Sequence, residues 1–458
     1  MSHNLNTPKG TRDFYSLELV KRNYLLKILK QTFRSFNFEE IETPSFENLS
    51  VLTGNYGEDE DSLMFKILSS GEKLRRANLD SLRDNNLSRF ANSLSDKALR
   101  YDLTVPLSRF IRQNLNKLNF PFRRFQTQLV WRADRPQKGR FREFLQCDID
   151  IVGEKNMMNE VECIKLYDSV LSRLNFPKVN IRVNNREILD GISKLMKLNS
   201  LDEIGSSLDK SDKIGVVGVI KELKSKGISD ESLKILNSFL EINGSNFEKI
   251  ESIKKEFLKN NLSIESLDRI EILLDLIDKF NLKCLVPFFD LSLARGLGYY
   301  TGLIVEVSSP ENLNIGSIGG GGRYDNLVQG NDPSLSGFGI SFGFDRIYTI
   351  LEDLNLFPNN FKSSKTFLFL NFGMDIIPNI IGQVNKLREN DISCEIYPSD
   401  KKIKKQLEYA NQKGIDFVVI IGKEELDSNI FKVKDMTKGE EIVFDNINNI
   451  FKEINSLN

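Results

Sequence analysis

The sequence predicts an α+β protein, and three observations carry that prediction. Residues 122–153 read as two strands joined by a charged loop, with a strict alternation of faces. On the second strand Arg142, Phe144, Gln146, Asp148 and Asp150 share one side, against Leu145, Cys147, Ile149 and Ile151 on the other. On the first, Arg124, Gln126, Gln128 and Arg132 fall together, opposite Phe125, Leu129 and Trp131. From Arg186 to Lys283 the chain changes to a Leu/Ile/Lys/Asp/Ser-rich stretch with helical spacing, as in Leu233, Leu236 and Leu240, then Ile250, Ile253 and Phe257. From Thr366 onward strands alternate with helices, the pattern of a compact α/β unit.

A chain of 458 residues has room for two or three domains. Its net charge of -1 gives no global attraction to nucleic acid, so any such contact must rest on local basic patches. Cys147, Cys163, Cys284 and Cys394 are far apart with no CxxC pair, which points to a reducing compartment and away from a zinc site. No apolar leader and no bilayer-length run is present, so the expectation is a cytoplasmic protein without membrane contact. The only histidine is His3. A Ser-His dyad, a histidine general base and an HExxH metal site are therefore excluded.

Taken in order, Thr7–Asp13 is a short basic-polar opening segment, Glu18–Phe36 has helical spacing, and Phe38–Pro44 reads as a strand ended by proline. Residues 55–98 read as a polar loop carrying one helix. In Leu99–Pro106 the acid Asp102 and the hydroxyl of Thr104 fall on one face of an extended segment. After the hairpin come a helix, Asn159–Leu174, and a strand, Val179–Val183; further on, Leu303–Val307 is a strand. Four consecutive glycines, Gly319–Gly322, suit either a flexible hairpin or close approach of backbone to a ligand. Gly337–Phe342 is a strand running into a helix, with Asp345 placed to cap it. Pro358 and Ser363-Ser364 mark a linker. Beyond it we expect strands Thr366–Asn371, Ser393–Ile396 and Phe417–Ile421, helices Ile377–Arg388 and Ile403–Lys413, and a strand pair within Phe431–Phe444. Lys401, Lys402, Lys404 and Lys405 form a basic run there, which solvation alone would explain.

The chemistry concentrates in the hairpin loop. Arg132, Arg135, Lys138, Arg140 and Arg142 are opposed by Asp134 alone, an arrangement that suits a polyanion. Arg132-Ala133-Asp134-Arg135-Pro136-Gln137-Lys138-Gly139-Arg140 resembles the motif 2 loop of class II aminoacyl-tRNA synthetases in its histidyl-tRNA synthetase form. The helix and strand of 18–44 resemble motif 1, which builds the homodimer in that family. Asp290–Gly302 and Gly316–Asp325 resemble the two motifs peculiar to histidyl-tRNA synthetases, and Gly337–Arg346 resembles motif 3. Gly298 stands where an acidic residue is common, and Asp102 and Asp134 stand where glutamate is common.

The resemblance implies a class II antiparallel sheet with flanking helices, a helical insertion and a C-terminal α/β anticodon-binding domain. The implied divisions are 1–185 and 284–360 for the catalytic domain, 186–283 for the insertion and 364–458 for the anticodon domain. It implies ATP and Mg²⁺, L-histidine and tRNA(His) as ligands, and a homodimer. Arg132 and Arg295 would stabilise the α-phosphate, with Arg295 taking the place of a metal ion there and Mg²⁺ serving the outer phosphates. Arg140 would hold the terminal phosphates, Phe144 and Arg346 would sandwich adenine, and Asp134 would meet its exocyclic amine. Asp102, Thr104, Gln146, Asp150, Arg295, Tyr299, Tyr300 and Tyr324 would form the histidine pocket, since an imidazole needs partners for both nitrogens. Arg135, Gln137, Lys138 and Arg142 would meet the tRNA acceptor end. With His3 as the one histidine, the proton of the tRNA hydroxyl would pass to the adenylate phosphate or to water. The alternatives are a non-catalytic regulatory relative, such as the synthetase-like subunit of ATP phosphoribosyltransferase, and a structural RNA-binding protein. The former tends to lack the C-terminal domain and the ATP-binding arginines that this chain has; the latter would not need the Arg295 and Tyr300 constellation.

Overall fold

The computed structural model describes residues 5–53, 63–75, 77–294, 298–313, 315–330, 332–358 and 365–457. The chain divides into two compact units, Met1–Phe357 and Pro358–Asn458.

The first unit is organised on an eight-stranded sheet of order β1-β5-β6-β11-β10-β9-β7-β8. These strands are β1 (Glu39–Glu40), β5 (Phe122–Trp131), β6 (Glu143–Gly153), β7 (Val179–Asn185), β8 (Leu285–Phe289), β9 (Leu303–Val307), β10 (Gly319–Arg323) and β11 (Ser336–Phe342). From β5 to β7 every pairing is antiparallel, while the outer strands β1 and β8 join in parallel, so the sheet is mixed rather than purely antiparallel. The strand expected over Phe38–Pro44 shrinks to the two residues of β1. The long alternation of β5 and β6 gives the sheet two chemically different faces. The apolar face is covered by the helices Ser16–Ser35 and Met158–Arg173: Phe33 packs 5.2 Å from Phe125 and 5.3 Å from Phe342, and Tyr167 stacks on Phe342 at 4.1 Å. Over the other face lies the helix Thr104–Asn114, whose Val105, Leu107 and Ile111 share a core with Phe122, Val152, Tyr299 and Tyr324.

Two expectations are corrected here, and one that was left open is decided. Residues 63–99 hold more structure than one helix in a loop. The short helices Glu72–Arg75, Leu79–Arg83 and Leu87–Leu94 accompany β2 (Phe46–Asn48), β3 (Lys66–Ile67) and β4 (Lys97–Leu99), which form a small sheet of order β2-β4-β3. Asp102 and Thr104 do not share an extended segment, because Thr104 opens a helix whose first turn is anchored by Asp102. Gly319–Gly322 are not a flexible hairpin but an interior strand. A Cβ on Gly321 would lie 1.9 Å from the carbonyl oxygen of Gly339, and one on Gly319 would meet the Tyr167 hydroxyl at 2.2 Å.

Between β7 and β8 the chain runs through helices from Arg186–Leu195 to Glu265–Lys279, with Leu233, Leu236, Ile250, Ile253 and Phe257 buried at helical spacing. Ser245 and Glu248 form a capping box at the start of Asn246–Lys259.

The second unit has a five-stranded sheet of order β13-β12-β14-β15-β16: β12 (Thr366–Phe369), β13 (Ser393–Ile396), β14 (Phe417–Ile420), β15 (Ile430–Asp435) and β16 (Glu441–Asp445). β12 pairs in parallel with β13 and β14, and β15 and β16 close the sheet in antiparallel fashion. The helix Ile377–Glu389 and a further helix, Ile450–Leu457, which sequence periodicity did not reveal, pack on one core through Ile380, Val384, Ile450 and Ile454. No described helix is long and apolar enough to cross a membrane.

Candidate active site

Strand register assembles the site. Gln128, Gln126 and Arg124 of β5 lie across from Gln146, Asp148 and Asp150 of β6, and Asp148 and Asp150 in turn face Ser341 and Gly339 of β11. The polar side chains therefore run in rows over one face of the sheet, and Arg124, Gln126, Gln146, Asp148 and Asp150 are all buried. Such groups persist inside a protein only when they satisfy one another. Arg124 places Nη2 2.7 Å from Asp150 Oδ2, and its Nη1 donates to Gln126 Oε1 at 3.1 Å. Gln126 passes the chain on to the Thr43 hydroxyl at 2.8 Å. Tyr324 donates its hydroxyl to Asp150 Oδ1, and Tyr299 donates to Asp102 Oδ2 at 3.0 Å.

Glycines let these side chains lie flat on the sheet. A Cβ on Gly339 would come within 2.0 Å of Asp150 Oδ1, one on Gly337 within 2.4 Å of the Tyr324 ring, and one on Gly322 within 2.8 Å of the Tyr300 ring. The glycines of β10 and β11 thus form the floor on which Asp150, Tyr300 and Tyr324 rest.

Three buried carboxylates, Asp102, Asp148 and Asp150, share this region with Arg124. Burial, reinforced by the Asp150 charge, pushes the Asp148 carboxyl up to about 7, with Arg124 and Ser341 opposing and Asp102 adding to the rise. Burial raises Asp150 too, against the pull of Arg124 and the Tyr324 hydroxyl. Burial and the Asp150 charge hold the Tyr324 hydroxyl well above its ordinary value. An acid whose pKa is higher folded than unfolded holds extra protons in the folded state between those two values. Its stabilising contribution is complete at low pH and is lost as pH rises through the folded value. The expected result is a thermal midpoint that falls, on the order of 2 °C from this group, between about pH 6 and about pH 8. Asp148→Asn should flatten that slope in a thermal melt at the two pH values.

The loop between β5 and β6 makes a second cluster. Gln137 and Arg140 exchange both backbone hydrogen bonds, at 3.1 and 2.9 Å, so Lys138-Gly139 is a tight tip with Gly139 at φ 70°. Arg132 donates Nε to the Tyr101 carbonyl at 2.9 Å and stands 4.5 Å over the Tyr101 ring and 5.3 Å from that of Phe144. Asp134 accepts from Arg140 Nε and Nη2, both at 2.9 Å, so the intended partner of adenine and the intended phosphate clamp hold each other. Arg346 donates to the carbonyls of Gly139 and Ser317 and so rests against the loop tip. Arg135, Gln137 and Lys138 are exposed, with Lys138 paired to Asp353 at 3.0 Å. Arg142 instead braces the loop, donating Nε to the Asp134 carbonyl at 3.0 Å and its backbone N–H to Gly10 at 2.9 Å. Asp345 does not cap its helix; it is buried and receives Arg12, at 2.7 Å, and Arg22. Those two arginines tie the opening segment and first helix to the motif 3 region, with Arg12 3.5 Å over Phe141.

The two clusters meet where Tyr101, which holds Arg132, adjoins Asp102, which holds Tyr299. Of the residues expected in the amino-acid pocket, Asp102, Gln146, Asp150, Tyr299 and Tyr324 are buried on or beside one face. Thr104 is buried at the helix start and Tyr300 is half-buried. Arg295 and His3 lie outside the described residues. Arg124, Asp148 and Ser341 were missed as site residues, although their even spacing with Gln146 and Asp150, or their place in motif 3, was the signal.

Comparison with known proteins fits this geometry. A family model for histidyl-tRNA synthetase matches residues 81–347, over half of the chain, and one for an anticodon binding domain matches residues 370–455. The chain belongs to the histidyl-tRNA synthetase family. It is 45% identical over 443 residues to a histidine–tRNA ligase of Christiangramia forsetii, covering 96% of this chain and 97% of the relative. To the histidine–tRNA ligase of Flavobacterium johnsoniae it is 41% identical over 465 residues, covering 97% and 98%. The crystal structure of histidyl-tRNA synthetase from Nostoc sp. PCC 7120 superposes with a TM-score of 0.74 at 26% identity, covering 99% of this chain and all of that one. An ATP phosphoribosyltransferase regulatory subunit/histidyl-tRNA synthetase from Bacillus halodurans C shares the fold, with a TM-score of 0.68 at 18% identity and coverage of 90% and 97%.

Proposed function

We propose that the chain is a histidine–tRNA ligase of the cytoplasm. In the first step the histidine carboxylate attacks the α-phosphorus of ATP, a new P–O bond forms, and pyrophosphate leaves. In the second a terminal ribose hydroxyl of tRNA attacks the carbonyl of the adenylate, and AMP leaves. The observation that carries this reading is the buried row Gln146–Asp148–Asp150 with Tyr324 and Asp102, acceptor-rich and adjoining Arg132. A ligand with an ammonium and a ring N–H suits acceptors; a triphosphate suits the arginine loop.

In this reading Arg132 stabilises the charge that develops on the α-phosphate, with its guanidinium already fixed by Tyr101. Arg295 is assigned the same task. Arg140 releases Asp134 when the outer phosphates arrive, and the freed Asp134 carboxylate accepts from the adenine amine. Phe144 and Arg346 take the two faces of adenine. Among the described residues no three His, Cys, Asp or Glu side chains gather as metal ligands, so Mg²⁺ arriving with ATP would find its ligands on the phosphates. The helices of 186–283 are assigned to an insertion and 364–458 to anticodon contacts. The dimer would form through the first helix, which exposes Leu17, Leu19 and Val20, and through β1, which lies at a sheet edge. The regulatory alternative is less well supported, because Arg132, Arg140, Arg346 and the C-terminal unit are all present.

Charging of tRNA(His) with labelled histidine tests the proposal; failure to form histidyl-tRNA with ATP present would refute it. The exposed Lys138 offers a finer check. Lys138→Ala should weaken aminoacylation by about threefold or more while sparing pyrophosphate exchange, and more so at low salt, as expected of a single phosphate contact. Equal losses in both reactions would place this lysine on ATP.

A further inference from the structure

Arg100 is 1% exposed, and its side chain donates only to uncharged oxygens. Nε donates to the Leu129 carbonyl at 2.8 Å. Nη1 is shared among the carbonyls of Thr43 and Pro44, at 2.7 and 3.1 Å, and Gln128 Oε1 at 2.9 Å. The backbone is held as well: the Arg100 N–H donates to the Ser45 carbonyl, and the Arg100 carbonyl accepts from the Trp131 N–H, both at 3.1 Å. Burial pushes this guanidinium down to about 10, with Glu42 and Glu47 opposing. A packed apolar side chain would cost less at such a place, because burying a cation is expensive. What an apolar side chain could not do is bind carbonyls that converge from two directions, as the planar fork of arginine does. Those carbonyls belong to the chain just after β1 and to the end of β5. Tyr101 follows Arg100, and its carbonyl and ring hold the Arg132 guanidinium. Arg132 in turn follows Trp131. Both halves of the Arg132–Tyr101 contact are therefore tied to Arg100, one through the peptide chain and one through the bonds to Leu129 and Trp131.

We infer that Arg100 is a positioning residue for adenylation: it cross-links the end of β5 to the Tyr101 segment and so sets the place from which the Arg132 guanidinium meets the α-phosphate. The inference rests on the reading of Arg132 as the group that stabilises the α-phosphate. Misplacing such a group by about 1 Å can cost on the order of a hundredfold in rate, even when the change lies away from the chemistry. Asp102, the next residue along, has anchors of its own in the Tyr299 hydroxyl at 3.0 Å and the Val105 N–H at 3.1 Å. Loss of Arg100 therefore disturbs Arg132 more than it disturbs the amino-acid pocket.

A double-mutant cycle tests this, with adenylate formation followed by rapid quench and folding checked by a thermal melt. Arg100→Lys keeps the charge but cannot span both sets of carbonyls. It should slow adenylate formation about tenfold to a hundredfold, while the KM for histidine stays within about twofold. In the Arg132→Ala background the same substitution should cost less than about twofold more, because the group it positions is gone. A merely structural role would instead multiply through both backgrounds. Gln128→Met, which removes one acceptor and leaves Arg100 in place, should show the same pattern with a loss of about threefold, and it carries the test should Arg100→Lys fail to fold. A loss below about threefold for Arg100→Lys, or none for Gln128→Met where it stands alone, would overturn the inference. So would a loss that persists in full beside Arg132→Ala, or a raised KM for histidine with the rate unchanged. Near-normal adenylate formation by Arg132→Ala would overturn the reading of Arg132, and the inference with it.

Discussion

Arg124→Met is expected to destabilise the first unit by about 3–5 kcal/mol, the cost of stranding a buried charge by removing its partner. Arg124 is fully buried and is held by three groups: the Asp150 carboxylate at 2.7 Å, Gln126 Oε1 at 3.1 Å and the Leu103 carbonyl at 3.4 Å. Without it, Asp150 keeps the Tyr324 hydroxyl but loses its counter-charge, and the neighbouring Asp148 loses the cation that opposes its upward shift. Both acids would then take up protons more readily in the folded protein. The loss should accordingly be larger at about pH 8 than at about pH 5.5, where protonation relieves it. Arg124→Lys, which keeps the charge but not the planar fork, should fall between. Denaturant titration at the two pH values measures this, and equal stability of Arg124→Met and the unsubstituted protein at the higher pH would show that the carboxylates are not held by this residue.

Arg132→Ala should lower the rate of adenylate formation by about two to three powers of ten, the usual consequence of removing one preorganised charge stabiliser. Preorganisation is visible in the contacts. Nε is committed to the Tyr101 carbonyl, and the Tyr101 and Phe144 rings flank the guanidinium. The plane of the charge is set before ATP arrives, so little reorganisation is required at the moment of reaction. The KM for histidine should change far less than the rate, because the buried polar row that would hold the amino acid lies on β6 and not on this arginine. Rapid-quench measurement of adenylate separates the two effects, and near-normal adenylate formation by Arg132→Ala would remove this residue from the α-phosphate.

The part of the site carried by strand alternation was legible in the sequence. Arg124, Gln126, Gln146, Asp148 and Asp150 were placed on one face by parity alone, and the register confirms that face. What parity could not supply was which of those side chains are buried and which partner each takes, since that depends on strands and helices distant in sequence. Asp148 gains its character from Asp150, Arg124 and Ser341, and Ser341 arrives from a strand almost two hundred residues later. The glycine run stayed ambiguous for a related reason. Glycine reads locally as freedom, whereas here it answers to crowding by Gly339 and Tyr167, which are remote in the chain. Asp345 read as a cap because an acid at a helix start has a local explanation; Arg12 and Arg22 give it a non-local one. In the second unit the final helix escaped notice because its eight residues give too few turns for a clear period.

The central claim is that the acceptor-rich face of β6 binds histidine beside an arginine loop that binds ATP. Exchange of labelled pyrophosphate into ATP, run with each amino acid in turn, tests it most directly. The account predicts exchange that depends on histidine, is not supported by glutamine or asparagine, and is lost in Asp150→Ala. Exchange supported equally by other amino acids, or none with histidine, would contradict it.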